Sequence, residues 1–294
     1  VTTTSDIIRR HVRPLSPIPT GVEPRLQTLP GIRAVLFDVY GTLLISGVGE
    51  VGTVAAPPAK ALADACRTQE LEVGENADAC VKLFIETIEQ FHAEARAAGI
   101  EHPEVDIVAV WRRLVSEYRR RGWISGDGDV QYEQLAVEYE MRANPVWAMP
   151  SAEHCLARLA SRTMALGIVS NAQFFTPQLF PSLLGGEVPD LGFSLELCAF
   201  SFQHGRAKPG TYLFERVLES LAGRDISAEE ALYVGNDMRN DVMPAGRLGM
   251  KTALFAGDDR SLRLRAGDAE VQGAAPDLIV TELAQVVQCV ICSE

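Results

Sequence analysis

Several short apolar runs break off at a turn or polar residue, and between them the pattern turns helical. "AVLF" ends at Asp38, "MALGIV" at Ser170, and "ALYV" at Gly235, just before Asn236 and Asp237. Runs of this length bounded by turn residues read as strands buried on both faces. "LELCAFS", "KTALFA" and "DLIV" add three more, while "GTYLFERVLESLAG" and the segment from Asp241 to Leu248 carry helical spacing. Parallel neighbours need a crossover connection, so strands alternating with helices predict an α/β fold: a doubly wound parallel sheet covered on both faces.

One block departs from that alternation. After the first strand, helical patterns run at about 58–73, 76–98, 105–121 and 130–143 with no strand between them. Val81, Phe84, Ile85, Ile88, Phe91 and Ala95 recur at helical spacing, as do Val110, Trp111, Leu114, Val115 and Tyr118. The expected organisation is an N-terminal extension over 1–30, an α/β core over 31–48 and 150–294, and an inserted helical bundle over 49–149. Its candidate hinges are 46–57 and the proline-bounded 144–150. In the extension, Ser5 is the expected cap of a short helix through Arg10, and the basic group Arg9, Arg10, His11 and Arg13 is expected on a solvated face or in an arm laid on the core.

The net charge of −12 argues against a nucleic-acid partner. No apolar run spans a bilayer, and the polar, proline-broken start does not resemble a secretory signal, so a cytoplasmic protein with no membrane partner is expected. The six cysteines are scattered; only Cys289 and Cys292 form a C-x-x-C, and reduced structural thiols are the expected reading. "GVGEVG" (Gly47–Gly52) fits a dinucleotide fingerprint by letter only, because no crossover helix follows it directly and no acid ends a second strand downstream. It reads as a flap leading into the helical block, and "SGDGD" (Ser125–Asp129) as a turn.

Ligands of open α/β sheets bind outside the carboxyl ends of the strands. The first strand delivers Asp38, Tyr40 and Thr42 there; the next delivers Ser170 and Asn171. Arg206 and Lys208 follow "LELCAFS", and Asp237 and Asp241 follow "ALYVG". Three carboxylates, a lysine and hydroxyls are thus expected in one crevice.

These residues also carry a resemblance. "FDVYGT", "VSN", "AKPG" and "VGNDMRND" resemble, in order, the four motifs of the haloacid dehalogenase (HAD) superfamily, with the helical block where that family places a C1-type cap. The resemblance implies a Rossmannoid core and a hydrolase whose nucleophile is Asp38. It implies that Thr42 and Ser170, near Asn171, hold a phosphoryl oxygen, and that Lys208 stabilises developing negative charge. It also implies Mg²⁺ held by Asp38, the Tyr40 carbonyl, Asp237 and Asp241, and a small-molecule substrate.

Two motifs disagree. Family phosphatases carry an acidic proton donor where this chain has Tyr40, and a phenol shuttles protons poorly near neutral pH. The 2-haloacid dehalogenases have Tyr at this place, because a halide leaves without a proton. Those enzymes need no metal, however, and lack the Asp pattern of "GNDMRND". They also place Tyr six residues after the lysine, where this chain has Phe214, and their substrate-gripping Arg has only Arg67 as a loose counterpart. A Mg²⁺-dependent phosphohydrolase is therefore the expected function, with a 2-haloacid dehalogenase-type hydrolase as the alternative and a non-catalytic binding protein as the third. Ser46, His92, Arg112, Arg113, Arg142, Asn144, His204 and Arg206 are candidates for substrate choice. Phe174 and Phe175 are expected to pack a helix start.

Overall fold

The computed structural model describes residues 2–49 and 59–291. Helix α1 (Thr4–His11) precedes strand β1 (Ala34–Phe37) and the short β2 (Leu44–Ser46). The helical block follows as α2 (Ala59–Arg67), β3 (Glu72–Val73), α3 (Ala77–Ala97), α4 (Ile107–Arg120), β4 (Ile124–Ser125) and α5 (Tyr132–Ala143). The chain returns through β5 (Val146–Ala148) to α6 (Ala152–Ala160), β6 (Ala165–Ser170), α7 (Phe180–Leu183), β7 (Phe193–Phe200), α8 (Ser201–His204) and α9 (Tyr212–Ala222). It closes with β8 (Ala231–Gly235), α10 (Met243–Arg247), β9 (Lys251–Phe255), β10 (Leu278–Val280) and α11 (Leu283–Val290).

The six apolar runs form one sheet in the order β10-β9-β8-β1-β6-β7, every pair parallel. β1 sits at its centre with all four residues buried, which is why its sequence shows no polar alternation. From β1 the chain winds first through β6 and β7 on one side, then through β8, β9 and β10 on the other. The strand order therefore reverses at β1, the place where such sheets open a crevice beyond their C-terminal ends.

The helical cap packs around its own apolar cluster, which includes Leu62, Phe84, Trp111, Leu114, Tyr118 and Tyr139. β2 and β5 pair antiparallel at its root, forming a two-stranded ribbon there. The expected helix over 58–73 ends early. The backbone of 68–71 turns back onto carbonyls of 65–67, Glu70 adopts φ 58°, and Glu72–Val73 pairs with Ile124–Ser125. The cap is thus not strand-free.

At the N-terminus Thr3, not Ser5, caps α1. Its hydroxyl accepts the Asp6 N–H, and the Asp6 carboxylate accepts the Thr3 N–H in return. Ile7 and Ile8 are buried in the main core cluster, and Arg10 and His11 pair with Glu138 of α5, so the basic cluster faces inward in part. Further on, Arg25 pairs antiparallel with Ile279, covering the free edge of β10.

Candidate active site

Asp38 follows β1 directly, and Lys208 reaches it from the loop after α8. The Lys208 Nζ lies 3.0 Å from Asp38 Oδ1 and 2.6 Å from Asp241 Oδ1. The ammonium is almost wholly buried. Burial would push its pKa down, but the Asp241 and Asp38 charges outweigh that and raise it, so the lysine keeps its proton. Asp241 is pushed up by burial and by its carboxylate neighbours, and pulled down by Lys208. Asn171, after β6, holds the lysine's backbone from both sides: its Oδ1 accepts the Lys208 N–H at 2.7 Å and its Nδ2 donates to the Lys208 carbonyl at 3.1 Å.

The sequence pattern did not reveal Tyr233. From the middle of β8 its hydroxyl accepts from Lys208 Nζ at 3.0 Å and lies 2.7 Å from the Val169 carbonyl and 3.1 Å from Asp241 Oδ1. Phe214 packs edge-on to its ring at 4.9 Å. A tyrosine inside an otherwise aliphatic strand is the available signal, since a buried phenol needs a polar partner.

Asp241 Oδ2 accepts the Asp237 N–H at 2.9 Å. Asp237, expected among the metal ligands, spends its oxygens elsewhere: on Arg265 (2.6 and 3.1 Å), on the N–H groups of Arg239 and Asn240, and on Asn240 Nδ2. It caps the π-helical turn Met238–Val242 that precedes α10, so the helix expected from Asp241 begins earlier. Thr42 is fully buried and donates to Asn236 Oδ1 at 3.1 Å; Ser170 is fully buried too. Ser261 is buried with no hydrogen-bond partner for its hydroxyl among the described residues.

Above this floor lies a cavity of about 420 Å³. Asp38, Lys208, Asp237 and Asp241 line it from the core, and His92, Glu104 and Glu140 line it from the cap. Tyr40 also lines it, but its hydroxyl pairs with Thr176 Oγ1 at 2.9 Å, and burial raises the phenol pKa far above its usual value. Glu104 ties cap to core: its carboxylate accepts from Ser201, Gln173 and the Val105 N–H. Burial raises its pKa, which those bonds partly offset. Burial, partly offset by the Asn144 amide, pushes Glu140 up to about 7.

Of the candidates for substrate choice, His92 lines this cavity; Ser46 and Asn144 bond to each other at the hinge. Arg112 and Arg113 lie over Tyr132 and Phe91, Arg142 pairs with Glu138, and His204 and Arg206 pack on Tyr212. Arg67 is exposed and pairs with Asp64 and Glu72. Phe175 is buried and lines the cavity, more than the helix-start role expected of it. The described cysteines are free thiols. Positions 50–58, which hold the second half of the expected flap, and Cys292 lie outside the described residues.

As to Mg²⁺, no group of three or more His, Cys, Asp or Glu side chains converges as metal ligands among the described residues. The oxygen donors still suit a hard cation that keeps much of its water. Asp38 Oδ2 makes no hydrogen bond with a described residue, and the Tyr40 carbonyl accepts none of its loop's backbone bonds. No described helix is long and apolar enough to cross a membrane.

Among solved structures, a HAD phosphatase from Thermococcus onnurineus is similar at 19% identity and TM-score 0.51, covering 87% of this chain and 97% of that one. A magnesium-bound HAD-hydrolase, YfnB from Bacillus subtilis, is similar at 18% and 0.50, covering 89% and 99%. The L-2-haloacid dehalogenase from Xanthobacter autotrophicus is similar at 22% and 0.48, covering 87% and 97%. No curated protein sequence matches the chain. The profile of the haloacid dehalogenase-like hydrolases matches residues 32–267, a span that takes in Asp38, Ser170, Lys208, Asp237 and Asp241. By that match over most of its length, the chain belongs to the haloacid dehalogenase-like hydrolases, and it is a hydrolase enzyme.

Proposed function

We propose that the chain is a Mg²⁺-dependent phosphohydrolase acting on a small phosphorylated metabolite. The observation that carries this reading is the acidity of the cavity: Asp38, Glu104, Asp237 and Asp241 line it, with Glu140 as a partly neutral acid, against Lys208 and Arg263. Bringing a 2-haloacid's carboxylate into that field is unfavourable, and Arg67 lies on the surface away from it. A phosphate monoester arriving with a divalent cation meets the same field with its charge offset.

On this reading Asp38 attacks phosphorus. Lys208 offsets the charge that develops there, held in place by Asn171, Tyr233 and Asp241. Ser170 and Thr42 complete the floor on which the phosphoryl group sits. Asp38, Asp241 and the Tyr40 carbonyl would hold Mg²⁺, with Asp237 bracing the turn beside them. The ion supplies electrostatic stabilisation of the phosphoryl oxygens.

The test is phosphate release from an activated aryl phosphate, with and without Mg²⁺, with Asp38→Asn as control. Metal-dependent release that disappears in the variant is expected. Absence of release, together with halide release from 2-haloacids, would establish the dehalogenase alternative, which the tyrosine at position 40 favours.

A further inference from the structure

We propose that Glu140 of the cap is the acid that protonates the departing oxygen of the substrate, the role that Tyr40 does not fill. This rests on the phosphohydrolase reading. Three observations carry it.

The first is position. Glu140, in the last turn of α5, lines the cavity that Asp38 also lines, so a substrate whose phosphorus meets Asp38 extends its leaving group toward the cap.

The second is the wiring of its carboxyl. Asn144 Oδ1 accepts from the Ser46 hydroxyl at 2.9 Å and from the Val48 N–H at 3.4 Å. A backbone N–H can only donate, which fixes the amide's orientation and turns its Nδ2 toward Glu140 Oε1, 3.3 Å away. Oε1 is thereby an acceptor, and the proton of the neutral acid belongs on Oε2. That oxygen makes no hydrogen bond with a described residue, yet it is not sealed off among the buried unpaired atoms. Glu140 itself lines the cavity.

The third is the elimination of its neighbours. From the core, Asp38, Asp241 and Asp237 are engaged with Lys208 and Arg265, and Arg263 also faces the cavity. The Tyr40 hydroxyl is tied to Thr176. From the cap, Glu104 has three donors on its carboxylate, and burial with the Arg96 charge lowers the His92 pKa, so its imidazole is neutral near pH 7. Glu140, pushed up to about 7 by burial, is about half protonated there and can give a proton.

The step balances. An Asp38 oxygen forms a bond to phosphorus as the bond from phosphorus to the ester oxygen breaks. That bond's electron pair stays on the leaving oxygen, which takes the Glu140 proton. Water then attacks phosphorus and both its protons stay with the phosphate, while the Glu140 carboxylate regains its proton from solvent. The bond from phosphorus to Asp38 breaks, and phosphate and both carboxyl groups are restored.

The experiment compares Glu140→Gln with the unsubstituted chain, with Mg²⁺ present, on an alkyl phosphate and on 4-nitrophenyl phosphate. The amide keeps the shape and the Asn144 bond but has no proton to give. Turnover of the alkyl ester is expected to fall about 10²–10⁴-fold, while the aryl ester, whose leaving group needs no proton, changes by less than about 3-fold. With the unsubstituted chain, alkyl turnover declines as pH rises through about 7, and Glu140→Gln abolishes that decline. Equal loss on both esters, or no loss on either, overturns the proposal. If the Gln variant does not fold, Glu140→Asp is read the same way: a selective alkyl loss that keeps the pH decline supports the proposal, and equal losses overturn it. No release from either ester by the unsubstituted chain overturns the phosphohydrolase reading and this proposal together; aryl release with a flat Glu140→Gln result overturns this proposal alone.

Discussion

A lysine with almost no exposure keeps its charge only while its acceptors stay in place. Lys208 has three: Asp38, Asp241 and the Tyr233 hydroxyl. Tyr233→Phe removes the neutral one and leaves the ring packing on Phe214 intact. The expected loss of stability is about 1 kcal/mol, the net worth of one hydrogen bond, with kcat for phosphate release lowered roughly 10-fold as Lys208 gains freedom. Urea denaturation and steady-state kinetics on the same preparation check both. Glu140 gives a prediction of opposite sign. Its folded pKa of about 7 lies above the usual carboxylate value, so the folded state binds more protons than the unfolded chain, and stability falls as pH rises between the two. Glu140→Gln should leave stability at pH 4 nearly unchanged and raise it at pH 8 by roughly 1–3 kcal/mol, read from thermal midpoints across that range. Asp38, Lys208 and Asp241 were legible in the sequence because each lies in the segment that follows a strand and the strand ends converge. Tyr233 and Glu140 were not. One points sideways from inside a strand, the other inward from a helix end, and only tertiary packing brings either to the cavity.

Among elements, α5 carries the most duties. Leu135, Ala136 and Tyr139 pack into the cap's cluster, while Val137 and Met141, one turn apart, join the main core. Glu140 faces the cavity, and Glu138 receives Arg10 and His11 from α1 and Arg142 from its own helix. Burial raises the Glu138 pKa, but Arg142 and His11 more than offset it, so the carboxyl lies below its usual value. Its contribution is therefore present above about pH 4.5 and disappears as pH falls through the depressed value. Glu138→Gln should cost roughly 1–3 kcal/mol at pH 7 and progressively less as pH falls below about 4.5, measured by chemical denaturation across that range. The period of 3.6 found α3 and α4 in the sequence because each buries a stripe, whereas α5 is buried on several sides between the two clusters. Periodicity could not find β3 and β4: two-residue strands show no period, and their pairing depends on a turn made by Glu70. The cap of α1 was displaced by two residues because Thr3, Ser5 and Asp6 are all capping residue types, and only the reciprocal bond of Thr3 with Asp6 selects between them.

For the whole molecule the question is whether cap and core unfold separately. The cap has its own apolar cluster, which by itself would allow independent melting. Against that stand three attachments. The β2–β5 ribbon joins them covalently and by ladder bonds; the segment 102–104 pairs with 205–207 through His102 O, the Glu104 N–H and the Glu104 carboxylate on Ser201; and α5 lends residues to both clusters. Melting the core would strip α5 of Val137 and Met141 and expose the helix that closes the cap's own cluster. Melting the cap would uncover apolar surface of the core in the same way. One shared helix therefore couples the two units, and a single transition is expected. Tryptophan fluorescence reports on Trp111 and Trp123 in the cap and Trp147 in the hinge strand, while far-UV circular dichroism reports on all helices. The two signals should give coincident urea transitions. Met141→Ala should move both together by about 2–4 kcal/mol, since it opens a cavity on the core side of the shared helix. A fluorescence transition that stays in place while the circular dichroism shifts would mean that the cap holds α5 without the core.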